Sequence, residues 1–409
     1  MTTMPFWTQK TISWARAKIR RILGYPFVRN VNGVKAEAGK RRCLMVYLSL
    51  PFTRRSNHPS FLTHQNLGQA KMMALALGEA GYVVDVADLR SPRIPNSAGS
   101  YDMILTHHPS LALIQNHLTA DTTVIYLASC MHPVEHNRLV NARRVALEKR
   151  RQCRIPPFEV NDERITVLSR ADAITGFGNQ STMGTWSNVF PLPLYCFNNS
   201  GFEWIRPAVK VAHDYAYHFL FLGSVDQIRK GLDLLLEVFP KHPDWHLHVA
   251  AHYDLEPEFC ACYHRELHHT ANIHLHGVVV IGSREWDSLI KQCAFVILPS
   301  CSEGQAGSVI QAMYAGLIPV VTPTTGIDVE AFGVLLPNDP LPVLTDTLAH
   351  LAMMPTAELN RRRKATLMAA HIQYSEVAFQ ARWNEIVQSM TGIGRPLQKT
   401  TPVQTARIQ

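Results

Sequence analysis

The stretch FVILPSCSEGQAGSVIQAMYAGLIPVV at residues 295–321 restricts the possible folds more than any other part of the chain. Phe295 to Leu298 is an apolar run of strand length, and Ser300 to Gly307 is small, polar and glycine-bearing, so it reads as a loop. Val309, Ile310, Met313 and Leu317 then recur at helical spacing. Gly316 and Pro319 stop that helix, and Ile318, Val320 and Val321 begin another strand. A strand, a glycine loop and a helix N-terminus make a ready anion site, because unpaired N–H groups and the positive end of the dipole point at one place. The loop also holds an acid, Glu303. A phosphate has no use for an acid, whereas sugar hydroxyls can donate to one.

The alternation extends along the chain. Cys43 to Leu50 reads as a first buried strand. Residues 66–89 read as a helix with Ala70, Met73, Leu77 and Ala80 on one stripe, a stop at Gly81, and a strand. This is a βαβ unit, hence a parallel sheet. Tyr101–Thr106, Thr123–Leu127 and Ala173–Gly178 add strands. Residues 191–216 carry Pro191, Pro193 and Pro207 with little periodicity and read as an interdomain linker. Strands and helices alternate again from His218 to Leu336. The expected fold class is α/β: two Rossmann-like doubly wound parallel-sheet domains, at 42–200 and 208–370, facing a central cleft. Residues 371–390 read as a final helix with Val377, Trp383, Ile386 and Val387 on its apolar side, and 391–409 as a disordered tail.

Composition narrows the partners. A hydrophobic content of 46% with 18% charged residues fits an ordinary globular protein, and no apolar run reaches the ~18 residues of a membrane-spanning helix. The N-terminus lacks an apolar signal core, so a cytoplasmic protein with reduced thiols is expected. Cys260 and Cys262 are the only close cysteines, and C-x-C without a second pair is a poor zinc pattern. Net charge of +8 favours anionic partners, but no basic-aromatic motif points to nucleic acid. Residues 1–30 read as a basic amphipathic helix, with Ile12, Ala15 and Ile19 opposite Lys10, Arg16, Lys18, Arg20 and Arg21. Such a helix suits an anionic membrane surface, making the protein peripheral, or it docks on the chain's own N-domain. A second basic helix, residues 138–151, reads as a solvated face or as a surface for acceptor phosphate or lipid.

The 299–321 segment resembles the E-x7-E region of retaining glycosyltransferases of family four (glycosyl transferases group 1), which have the GT-B fold. Glu303 holds the place of the first acid, and Gln311 holds that of the second as its amide. The resemblance implies that Glu303 faces the donor sugar hydroxyls, with Gly304, Gln305, Ala306 and Ser308 nearby, and that Gln311 faces the nucleotide ribose. It places the donor pyrophosphate at Gly223, Ser224, Arg229 and Lys230, where the family carries G-R…K-G. Ser224 departs from that arginine. The family also carries a sugar-facing histidine after an N-domain strand, for which His132 is the candidate and His108 the runner-up. Its N-domain glycine loop is not matched in residues 50–68, where Gly68 is the only glycine and Arg54 and Arg55 are the cations. The final helix of the family crosses back onto the N-domain, which suits residues 371–390.

The resemblance implies transfer of a sugar from a nucleotide-diphosphate sugar to an acceptor hydroxyl with retention, in polysaccharide, glycolipid or cell-envelope synthesis. The expected catalytic set is His132, Lys230 and Glu303. Neither a cofactor nor a metal is expected, since lysine and arginine supply the cations. Two alternatives stand beside it: a degenerate nucleotide-sugar-binding or scaffold protein, favoured by Gln311 and Ser224, and a nucleotide-sugar epimerase.

Overall fold

The structure is a computed structural model that describes residues 25–35, 39–55, 58, 61, 64–157, 159–160, 165–208, 215–329 and 331–391. The amphipathic helix expected at 1–30 lies almost wholly outside these residues, and so does the tail after Thr391.

Each lobe is built on a six-stranded parallel sheet. The N-lobe strands are β1 (Arg42–Tyr47), β2 (Val83–Asp88), β3 (Met103–Thr106), β4 (Thr123–Ala128), β5 (Ala173–Phe177) and β6 (Leu194–Phe197), ordered β2-β1-β3-β4-β5-β6. The C-lobe strands are β7 (His218–Leu222), β8 (His246–Ala250), β9 (Ile273–Leu275), β10 (Phe295–Leu298), β11 (Ile318–Val321) and β12 (Val334–Leu335), ordered β12-β11-β10-β7-β8-β9. The central strands are apolar and buried on both faces, apart from Arg42 at the start of β1, as parallel sheets between helices require. β6 corrects the linker expectation, because residues 194–197 pair with β5. Pro193 precedes it, and β6 is an edge strand, where a missing N–H is tolerated.

The sheet order locates the cleft. In the C-lobe it reverses between β7 and β10, which pair through Phe295 with Phe219 and Val296 with Leu220. In the N-lobe it reverses at β1 and β3. Loops leaving the carboxyl ends of strands at such switch points diverge and open a crevice.

Five helices matter to the site: α1 (Asn66–Glu79), α2 (Pro133–Arg151), the single turn α3 (Gln227–Lys230), α4 (Gly307–Tyr314) and α5 (Glu376–Thr391). α5 returns to the N-lobe. Phe379, Trp383, Ile386, Val387 and Met390 join its core, and Trp383 Nε1 donates to the Met73 carbonyl of α1 at 3.2 Å.

α2 is neither a solvated face nor an anion surface over most of its length. Arg143 reaches the Pro299 carbonyl at 2.5 Å, Arg150 pairs with Asp233 and Glu237, and Arg151 pairs with Glu266. Its basic residues therefore clamp the C-lobe. A disulfide, Cys153–Cys262, ties the lobes beside this clamp and corrects the expectation of reduced thiols throughout.

The C-lobe edge carries a histidine ladder. His218, His246, His248, His274 and His276 share one face of β7, β8 and the β9 edge. Ring nitrogens meet at 2.9 Å (His218–His248), 3.0 Å (His246–His274) and 3.1 Å (His248–His276), and Glu285 stands 3.4 Å from His276. Each contact needs one donor and one acceptor, and His248 takes part in two of them. Burial, with the neighbouring histidines, pushes His248 down from 6.5 to about 2. Unfolded chains therefore bind protons better below about pH 6.5, and stability declines as pH falls through that value. Urea midpoints measured at pH 8 and pH 5.5 are expected to fall with acidification, and less steeply in His248→Val; equal midpoints would contradict this.

Candidate active site

The loops after β7 and β10 bring two distant parts of the chain together. Glu303 lies in the loop between β10 and α4. Its Oε1 receives Lys230 Nζ at 2.9 Å, Arg229 Nη1 at 2.8 Å and Ser300 Oγ at 3.1 Å. Burial works to raise the carboxyl, but Lys230 and Arg229 outweigh it and hold Glu303 at about 2, against an ordinary value of 4.5. The acid is thus ionised at any pH near neutrality.

Lys230 stands at the end of α3, and Gly231 follows with φ +83°. A second helix begins at Leu232 with Gly231 at its N-cap, so Lys230 and Gly231 stand at its start. A glycine is required for space as well as for φ, since a Cβ would lie 2.5 Å from the Pro299 carbonyl oxygen. Within the turn that precedes it, consecutive side chains leave the axis about 100° apart, which puts Lys230 on the cleft and Arg229 away from it. Arg229 sits behind Glu303, bound to Asp226 at 3.1 Å and to the Ser302 carbonyl at 2.8 Å. It lines a separate interlobe cavity with Asp226, Glu256 and Arg144.

The cleft itself has a volume of about 420 Å³. From the C-lobe it is lined by Gly223, Ser224, Lys230, Glu303, Gln305, Ala306, Gly307, Ser308 and Gln311, with Val279 and Ile281 beyond them. Gly307 and Ser308 head α4, so first-turn amides stand at the cleft. The Ala306 amide is taken by the Thr325 carbonyl at 2.9 Å, and the Gln305 side chain by Asn198, the Asn199 amide and Gly326. Gln311 Oε1 accepts from the Phe202 amide at 2.8 Å, while its buried Nε2 has no hydrogen-bond partner among the described residues. Gly304 packs directly against the N-lobe: a side chain there would strike the Ser129 carbonyl. Met131 N also donates to the Glu303 carbonyl at 3.2 Å.

The structure does not bring His132 to the cleft. His132 is 2% exposed, caps α2 by accepting from Val134 N at 3.3 Å, and packs edge-on against Trp186 at 4.8 Å. Pro133 starts the helix directly after it, which commits the imidazole to the cap. Nor does His108 line the cleft; it accepts from Ser110 N at 3.1 Å. The histidine on the cleft wall is His64, beside Tyr47, Gln65, Asn66, Gln69 and Ser129. Sequence reasoning missed this wall. Its only signal was the run of amides at 65, 66 and 69 opening α1, directly after the first βα connection at the switch point. Arg54 and Arg55 are exposed and are not on that wall. Among the described residues, no group of three or more His, Cys, Asp or Glu is placed to hold a metal ion, and no helix is long and apolar enough to cross a membrane.

Removing Lys230 leaves Glu303 with one cation. Lys230→Met is expected to lower stability by about 1–3 kcal/mol, the range for a hydrogen bond to a charged group. Urea denaturation at pH 7 checks this, and unchanged stability would contradict the pairing.

Residues 216–352 match the model for Glycosyl transferases group 1. No curated protein matches the chain in sequence. Among solved structures, the sucrose-phosphate synthase of Thermosynechococcus elongatus superposes with a TM-score of 0.60 at 14% identity, covering 87% of this chain and 100% of that one. HepE of Anabaena, solved with UDP-glucose, gives 0.56 at 12% identity, covering 85% and 100%. TarM gives 0.51 at 15% identity, covering 70% of this chain and 54% of TarM, so this chain spans about half the length of that relative. At these identities the likeness speaks for the fold, which is GT-B.

Proposed function

We propose that this chain, a GT-B protein with a Glycosyl transferases group 1 domain at residues 216–352, transfers a sugar from a nucleotide-diphosphate sugar to an acceptor hydroxyl, with retention. The observation that carries the proposal is the ionised Glu303 bonded to Lys230 in a cleft between two lobes. A donor lying across the C-lobe wall meets complementary groups in order. Val279 and Ile281 offer an apolar surface for the base. The Gln311 Nε2, otherwise unpaired, donates to a ribose oxygen. The diphosphate meets Lys230 and the first amides of α4.

Lys230 does not have to release Glu303 to bind phosphate, because an ammonium has three donors. As the diphosphate leaves, its growing charge is met by that ammonium and by the Gly307 and Ser308 amides, which are already in place. Glu303 accepts from sugar hydroxyls and so fixes the donor ring; a neutral residue would hold it less firmly. Arg229 acts from behind, keeping Glu303 ionised and oriented. Charge neutralisation is thereby assigned to the protein's own cations. The UDP-glucose held by HepE supports a nucleotide-sugar donor. A cell-envelope or polysaccharide acceptor, and a peripheral membrane position through the basic residues before 25, complete the reading.

Gln311 in place of an acid favours one other reading, a protein that binds nucleotide sugars without transfer. Turnover separates the two. The full chain is incubated with UDP-, GDP- and ADP-sugars, and nucleotide release is followed with and without sugar acceptors. Glu303→Ala and Lys230→Ala are expected to lower release about 10²–10³-fold while circular dichroism stays native. Release within threefold of wild type in both variants would overturn the assignment. Interconversion of the free nucleotide sugars would identify an epimerase instead.

A further inference from the structure

The N-lobe wall of the cleft differs from the donor wall in kind. Tyr47, His64, Gln65, Asn66, Gln69 and Ser129 carry no formal charge, and among the described residues no cation from the N-lobe joins them. Burial lowers His64 from its ordinary value, so its imidazole is neutral at pH 7. Burial likewise keeps the Tyr47 phenol protonated. The wall is made of amides, hydroxyls and an imidazole, with the Phe177 ring beside them.

One of those amides is held with its oxygen open. Gln69 is fully buried, and its Nε2 donates to Asn199 Oδ1 at 3.2 Å and Ser200 Oγ at 3.3 Å. Asn199 cannot turn over, because its Nδ2 donates to the Gln305 carbonyl at 3.1 Å. Turning Gln69 over instead would set its oxygen against Asn199 Oδ1, two acceptors face to face. The orientation is therefore fixed, and Gln69 Oε1 remains buried without a hydrogen-bond partner among the described residues. Buried acceptors are rarely left so. The wall behind it is also immobilised. Gln65 lies so close to Gly307 that a side chain there would collide with it, and Asn199 ties α1 to the Glu303 loop through Gln305.

We infer that Gln69 Oε1 receives a hydroxyl of the acceptor substrate, and that this wall selects a neutral polyhydroxylated acceptor, a sugar ring, over a sugar phosphate. The inference rests on the transferase reading, which puts the donor on the opposite wall. A sugar hydroxyl can donate to the open carbonyl and also accept from Gln65 or Asn66. A phosphate dianion has only acceptor oxygens, so where it takes the place of a hydroxyl at Gln69 it leaves that carbonyl unpaired, and no described N-lobe cation lines the wall to offset its desolvation. Sites built around a hydroxyl discriminate strongly against ligands that cannot supply one.

The test uses the full chain with UDP, GDP and ADP, then methyl glycosides of glucose, galactose, mannose and N-acetylglucosamine, each beside its 6-phosphate. Binding is followed by ligand-observed NMR and calorimetry in the presence of whichever nucleotide binds. At least one neutral glycoside is expected to bind tenfold or more tightly than its phosphate. Gln69→Leu, similar in size but without the oxygen, is expected to weaken that binding at least tenfold; thermal unfolding checks its fold, and the comparison within wild type needs no variant. Phosphates binding as tightly as glycosides, no glycoside binding at all, or undiminished binding in folded Gln69→Leu would each overturn the inference while nucleotide binding stands. Failure of every nucleotide to bind would instead remove the transferase reading, and this inference with it.

Discussion

One carboxylate between two cations organises this molecule. Glu303 is largely removed from water, and a lone buried charge would be strongly unfavourable. Arg229 and Lys230 compensate it from the same turn of chain, Arg229 from behind and Lys230 from the cleft side. The arrangement is possible because β7 and β10 are neighbours although their loops are some seventy residues apart in sequence. Arg229 and Lys230 are consecutive in one helical turn, so their side chains leave it about 100° apart. Gly231 ends that turn in a left-handed conformation where a side chain would meet the Pro299 carbonyl.

The two lobes are held around that pair by polar contacts more than by a shared apolar core. Arg143, Arg150 and Arg151 span from α2 to the C-lobe, and the Cys153–Cys262 bridge stands beside them. On the other side, Asn198 and Asn199 bind Gln305 directly, and Phe202 fixes Gln311. The connecting segment between the lobes therefore does more than join them. It sets the orientation of three amide side chains on the cleft, one from α1 and two from the donor loop and α4.

Much of the architecture can be read from the chain. The apolar runs, glycine stops and helical stripes of residues 42–336 correspond to two parallel sheets, because strand period and length are local properties. The proximity of Lys230 and Glu303 followed from motif resemblance, and the structure shows the two in contact. Other features depended on tertiary contacts that no local pattern encodes. The arginines of α2 look solvated until the C-lobe carboxylates are placed against them. His132 looked catalytic because it follows a strand, but Pro133 made it a helix cap. Residues 194–197 looked like linker because prolines flank them, although an edge strand tolerates those prolines. The histidine ladder needs the register of three strands, and the amide wall needs the connecting segment folded back between the lobes.

If Lys230, held by Glu303, receives the diphosphate of a nucleotide, calorimetric titration with nucleoside diphosphates and the matching monophosphates registers it directly. One diphosphate is expected to bind at least tenfold more tightly than its monophosphate, and Lys230→Ala is expected to abolish the difference. Equal affinities in the wild-type protein, or a preference that survives in Lys230→Ala, would contradict it.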